Sequence, residues 1–178
     1  VEVLGRGGTS LVFSHADDPN CVIKVPYNTS NLAHERTILD EMGGVAGMIK
    51  RHEDDAPDES CLLLTPRLKP LKHRLHLARF VTLIDEHGHL RLLHGKGLVH
   101  CDVRPPNIMA ASTECRAALV DFGAVRRAGV TAPYDHGTLS YASDRVLHAY
   151  EHNTPIAMAA SDDMASFARC VIAVYHNL

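Results

Sequence analysis

The chain has 178 residues, 46% of them hydrophobic and 22% charged, enough for one compact domain or one domain in two small lobes and unlike a disordered or collagenous chain. Lys and Arg number 18 against 21 Asp and Glu, a formal charge of −3, so the basic excess that drives binding to a phosphate backbone is missing and nucleic acid is not an expected partner. No apolar run is long enough to span a bilayer, so no membrane segment is expected.

Val1 opens what reads as a strand rather than a leader, so the stretch is expected to come from a longer protein with further domains. Cysteines 21, 61, 101, 115 and 170 stand singly, an odd count with no C-x-x-C. Reduced thiols buried as small hydrophobes are expected, and with them an intracellular protein, cytoplasmic or nuclear.

Over residues 1–64 short β-type runs alternate with turn residues: VEVLG, SLVFS and CVIKV, with the turn cluster ADDPN before the third. They predict a small antiparallel sheet. Leu32, Leu39 and Met42 stand at helical spacing and predict a single helix over 32–42. ESCLLL is expected to close the sheet, and TPRLKP to follow as a stiff connector, because its prolines fix φ and oppose helix. A boundary at residues 65–70 divides the chain into 1–67 and 68–178.

Beyond the connector, Phe80, Leu83, Ile84, His87, Leu90 and Leu93 predict one helix running into HGKG, whose glycines suit a C-terminal cap. GLVH, NIMA and RAALVDF read as short strands. Met164, Phe167, Ala168, Val171, Ile172 and Tyr175 predict a last helix over 161–178, with Asp162 and Asp163 in its first turn, where the helix dipole favours acids.

The densest polar signal is HCDVRPPNIM at 100–109, a proline-braced loop presenting an acid, a guanidinium and an amide. Asp121 follows in DFG, and its carboxylate with the Asn107 amide suits a hard Mg²⁺ ion that retains waters. Gly5, Gly7 and Gly8 lie between two strand runs, where bare backbone can approach a phosphate closely. Lys24 sits in an apolar strand, where a lone ammonium needs an anionic partner. Each feature has an ordinary reading taken alone: a tight turn, a snorkelling edge lysine, a chance tripeptide. Their order and spacing carry the argument together.

GRGGTSLV, CVIK, HERTILDEM, HCDVRPPN and DFG, in that order, resemble the motif set of the eukaryotic-type protein kinases across nearly the whole chain. The resemblance implies an α+β, two-lobed fold: a small antiparallel N-lobe with one helix at 1–67 and a mainly helical C-lobe at 68–178 lacking its last helices. It implies a nucleotide site built from Gly5, Gly7, Gly8, Ser10 at the third glycine position, Val12 over the adenine, Val22 and Lys24. Lys24 would meet the α and β phosphates and pair with Glu35. Leu64 takes the gatekeeper position. The Thr65 carbonyl and the Arg67 N–H would then face the adenine, with Pro66, which has no N–H to offer, between them. Asp102 becomes the general base, Asn107 and Asp121 the Mg²⁺ ligands, and Arg104 stands where serine/threonine kinases carry a lysine. ATP and Mg²⁺ are the implied cofactors and a protein with a Ser or Thr acceptor the implied partner, Thr138 in GTLSY favouring these over Tyr.

GTLSYASD at 137–144 is similar to the end of an activation segment, with Ala142, Ser143 and Asp144 in place of A-P-E. SDDMASFARCV is similar to the buried helix behind it, where Asp163 steadies the catalytic loop. Cys101 replaces the arginine that grips a phosphorylated loop in many relatives, so activity without phosphate on Thr131 or Tyr134 is expected. Asp144 is expected to lack its usual partner, and Ile172 and Val174 to face solvent or another chain. Two rival functions stay open. One is a pseudokinase scaffold, supported by Ser10, Cys101 and the altered A-P-E; the other is a small-molecule kinase of the aminoglycoside or choline type, against which DFG and GTLSYASD argue. The pairs His73/His76, His87/His89 and His148/His152 could bind zinc but lack accompanying cysteines or acids, and His87 is expected to be a hydrogen-bonded core residue.

Overall fold

The computed structural model describes residues 1–43, 49–53, 60–70, 77–85, 88–110 and 116–176. The chain divides into two compact units, Val1–Leu68 and Lys69–Leu178.

Among the described residues the first unit is an antiparallel sheet with one α-helix. Its strands are β1 (Val3–Arg6), β2 (Ser10–Ser14), β3 (Val22–Pro26), β4 (Lys50–Arg51) and β5 (Leu62–Thr65), in the order β1-β2-β3-β5-β4. The two-residue period of β3 puts Val22 and Lys24 on its buried face. ESCLLL does form a strand, but not the edge. β4 pairs outside it, Lys50 opposite Thr65 and Arg51 opposite Leu64, and a run of two residues is too short to carry a readable period. α1 (Leu32–Glu41) follows a 3-10 turn at Thr29–Asn31, which the Asn28 side chain caps by accepting the Ser30 N–H at 3.0 Å. Its buried face is Leu32, Glu35, Ile38 and Leu39, an apolar stripe with one acid set into it.

The second unit holds the helices α2 (Leu77–Val81), α3 (His89–Gly95), α4 (Asp144–Glu151) and α5 (Ala160–His176). Between them run β6 (Lys69–Pro70), β7 (Leu98–Val99), β8 (Ile108–Ala110), β9 (Ala117–Leu119), β10 (Arg126–Arg127), β11 (Thr131–Ala132) and β12 (Ile156–Ala157). They pair as β6-β8-β9, β10-β7 and β11-β12. Part of TPRLKP is thus an edge strand rather than a plain connector. Lys69 lies opposite Ala110 and Pro70 opposite Met109, and an edge tolerates the missing proline donor.

The single helix expected through 80–93 is broken in two. α2 stops at Val81, and Gly88 is extended at φ −73°, ψ 141°. The Leu90 N–H bonds to the Leu83 carbonyl at 3.0 Å, and Gly88 passes so close to that carbonyl that any Cβ would collide with it. The apolar period survives the break, because the turn returns the chain to one core: Phe80, Leu83, Leu90 and Leu93 are all buried. His87, expected in that core, lies outside the described residues, as do His73, His76 and Cys115. The buried ring is His89, whose Nδ1 accepts the Leu119 N–H at 3.2 Å.

In α5 the inward residues are Asp162, Asp163, Phe167 and Cys170. Of the apolar set that predicted this helix, only Phe167 is buried, while Met164, Ile172 and Tyr175 are exposed and Val174 is half-buried. The helix is turned by what its acids bind. Cys21, Cys101 and Cys170 are buried, Cys61 is half-buried, and all four are free thiols. Among the described residues no helix is long and apolar enough to cross a membrane.

Candidate active site

In the first unit, β3 and α1 bring Lys24 and Glu35 together. Lys24 Nζ donates to both Glu35 carboxylate oxygens at 2.7 Å, and both residues are buried. Charge-assisted bonds of this length offset a desolvation cost of several kcal/mol per ion, about what makes such a pair hard to break from one side. Strand register sets Val12 opposite Lys24 and Val22 opposite Leu64. Gly5 is in β1, and Gly7 and Gly8 are exposed in the turn before β2, where Gly7 N–H donates to the Ser10 carbonyl at 2.9 Å. Ser10 is buried. The Arg67 N–H, expected to face the adenine, instead donates to the Asn20 carbonyl at 2.7 Å. Asn20 also holds Thr65, whose Oγ1 lies 3.3 Å from its carbonyl and its Nδ2. This loop-to-strand clasp joins positions far apart in sequence, so no local pattern announces it.

In the second unit the loop that carries His100, Cys101 and Asp102 hangs on one acid of α5. Asp163, 1% exposed, accepts the His100 N–H at 2.7 Å and the Cys101 N–H at 2.9 Å, and His94 Nε2 lies 2.9 Å from the same carboxylate. Cys101 sits in the left-handed region at φ 66°, a conformation costing roughly 1 kcal/mol for a residue with a Cβ, which these bonds offset. Burial, then the Asp163 charge, pushes the Cys101 thiol far above its usual range, so it stays protonated and unreactive.

Beyond Cys101 the loop presents Asp102. Asn107, in a 3-10 turn over Pro105–Asn107, donates from Nδ2 to the Asp102 carbonyl and to its Oδ2, both at 2.9 Å. Arg104 Nε is 3.1 Å from the same Oδ2, a charge contact rather than a directed hydrogen bond, since that Nε makes none. The other oxygen, Asp102 Oδ1, is buried with no hydrogen-bond partner among the described residues. One side of this carboxylate is loaded and the other bare.

Asp121 is brought to Asn107 by backbone pairing: Ile108 lies opposite Leu119, and the Val120 N–H donates to the Asn107 carbonyl at 3.0 Å. Asp121 is itself left-handed at φ 67°, and the following Phe122 is fully buried, its ring 5.6 Å from that of His100. Because both Asn107 amide hydrogens go to Asp102, its Oδ1 is the atom that could serve as a ligand. That amide and the Asp121 carboxylate fit Mg²⁺, which takes one or two side-chain oxygens and completes its shell with water and phosphate. Among the described residues no group of three His, Cys, Asp or Glu could hold a metal.

No family model matches the chain. Over 65 residues it is 40% identical to the serine/threonine-protein kinase SBK1 of Danio rerio, covering 36% of this chain and 17% of that protein. Over 136 residues it is 28% identical to casein kinase II subunit alpha' of Saccharomyces cerevisiae, covering 69% of this chain and 40% of that protein. A crystal structure of a kinase domain matches 98% of this chain and 62% of its own length, with a TM-score of 0.75 at 18% identity. The chain is related to the eukaryotic-type protein kinases. It spans less than two thirds of the length of each of these relatives, and the α+β kinase fold expected from the motifs is the fold found.

Within this fold the segment 137–144 is tied down by the chain itself. Asp144, expected to lack a partner, forms an ion pair with Arg169 of α5. Next to it, Asp162 is buried and holds Ser143 Oγ at 2.7 Å, the Ala159 N–H at 2.8 Å and the Arg145 guanidinium. The sequence had marked Asp162 only as a first-turn acid; a second acid beside Asp163 was the one available signal. Asp102, Tyr134, Thr138, Tyr141 and Ser166 line one pocket beneath the segment. Burial, then the Asp102 charge, pushes the Tyr134 phenol up to about 12.

Proposed function

We propose that this chain is the catalytic part of an ATP-dependent protein kinase that transfers the γ-phosphoryl group to serine or threonine hydroxyls of a protein substrate. One observation supports this reading above the others: the half-loaded Asp102 carboxylate. A buried acceptor without a donor costs about 1–3 kcal/mol, and a substrate hydroxyl is the donor that would relieve it. Asp102 Oδ1 then orients the hydroxyl and takes its proton as the oxygen attacks. Lys24, braced by Glu35, holds the ATP phosphates, with the backbone of Gly5, Gly7 and Gly8 and the side chains of Val12, Val22 and Leu64 lining the nucleotide. Asn107 Oδ1 and Asp121 would hold Mg²⁺, which when bound neutralises phosphate charge. Arg104 offers its guanidinium to the moving phosphoryl group, a planar fork where a lysine would be a point charge. Such transfers are accelerated mainly by positioning and electrostatic neutralisation. The four free described cysteines fit a reducing compartment, cytoplasm or nucleus.

A second reading, a scaffold that binds no nucleotide, has one observation in its favour: the Arg67 N–H is already engaged by Asn20. Turnover of Mg·ATP on a pool of serine and threonine peptides separates the two, and Asp102→Asn should lower it about 10²- to 10⁴-fold. Equal rates in both proteins, at background level, would leave the scaffold.

A further inference from the structure

We propose that Asp135 is a built-in anion which, through Arg126, keeps the activation segment ordered against the catalytic loop without any phosphate. The two act as positioning residues for the acceptor side of the site. Only the kinetic part of this inference rests on the kinase reading; the ordering of the segment does not.

Arg126 stands on β10 opposite Val99 of β7, and Val99 is the residue from which His100, Cys101 and Asp102 continue. Its side chain is 16% exposed, so the guanidinium needs partners, and it finds them across the segment. Nη1 donates to the Pro133 carbonyl at 2.8 Å, and Nη2 meets the Asp135 carboxylate. One cation therefore grips the chain on both sides of Tyr134. That ring is packed edge-on against Tyr150, centroids 6.5 Å apart, and shares its pocket with Asp102 and Thr138. Gly137 completes the docking. At φ 96° it approaches so closely that a Cβ would strike the Cys101 carbonyl and the Tyr134 hydroxyl.

The charge balance around Arg126 disfavours phosphate as the ordering agent. Cys101 brings no charge, and Arg126 is already matched by Asp135, whose carboxylate also has His136 Nε2 at 3.6 Å. Phosphate added to Tyr134 would meet an arginine already matched by Asp135 and, in Asp102, an acid of its own sign. Because Asp135 is 59% exposed, the pair adds little to global stability. Its effect is local, on a segment that is also held by the two-residue pairing of β11 with β12, the Tyr134–Tyr150 contact and the close approach of Gly137 to Cys101.

The test uses the full chain after phosphatase treatment. In Asp135→Asn, amide hydrogen exchange across residues 131–141 should quicken about fivefold, Asp135→Glu should restore it, and the denaturation midpoint should not move. The KM for a mixed serine/threonine peptide pool should rise in Asp135→Asn while the KM for ATP stays constant. Unchanged exchange in Asp135→Asn overturns the proposal. So does faster exchange of this segment when the wild-type chain alone is dephosphorylated. Should the wild-type chain turn over no ATP, the kinase reading fails, and the exchange measurement still decides the role of Asp135.

Discussion

Glu35 in the first unit and Asp163 in the second are both buried acids standing behind reactive groups, and they are held in opposite ways. Glu35 meets a side-chain ammonium, Lys24. Asp163 meets two backbone N–H groups and an imidazole. A side-chain partner can be exchanged for an apolar one of similar size; a backbone donor is removed only by proline, whose φ of about −65° is incompatible with the φ of 66° at Cys101. The first arrangement is therefore replaceable as a unit and the second is not.

The largest effect expected from this contrast is at Asp163. Asp163→Ala leaves the His100 and Cys101 N–H groups buried without an acceptor and should cost about 4 kcal/mol of unfolding free energy, measured by denaturant titration. Next comes the Lys24–Glu35 pair. Lys24→Met strands a buried carboxylate and should cost about 3 kcal/mol, whereas Lys24→Met with Glu35→Leu should regain most of it while ATP turnover stays lost. A double variant no more stable than the single one would break the comparison.

A smaller effect lies at high pH. The second unit buries neutral acids: burial pushes Cys170 up to about 12, and burial then the Asp163 charge pushes Cys101 further, from an ordinary value of 9.0. The native state keeps protons that the unfolded chain releases, so this contribution is complete below pH 9 and is lost as pH rises toward 12. Cys101→Ala with Cys170→Ala should flatten the fall of the denaturation midpoint over that window. The smallest effect belongs to the exposed pair Asp144–Arg169, where Asp144→Ala should change stability by less than about 1 kcal/mol and salt should shrink the difference further.

Much of this was readable from residue order. The strands at CVIKV and SLVFS and the helix carrying Glu35 follow from local periods, and the pairing of that acid with Lys24 is what the resemblance to the kinase motif set implied. What was not readable depends on contacts distant in sequence. The break at Gly88 comes from the Leu83 carbonyl pressing on it; that Asp163 steadies the loop was implied by the resemblance, but not that its bonds to the His100 and Cys101 N–H groups leave Met164 and Ile172 facing out. The edge strand β4 is two residues long. Asn20 captures the Arg67 N–H from 47 positions away.

By itself, then, the order of residues determined which chemical groups this protein has and roughly which element carries each, because side-chain type and hydrophobic period are local properties. The tertiary structure alone decided which atoms are spent and which are bare: that Asp102 offers Oδ1 and not Oδ2, that Asn107 keeps its oxygen, and that Arg126 is matched by Asp135. Hydrogen-bond saturation is settled by partners the fold brings together, and each donor or acceptor can be used only where a partner arrives.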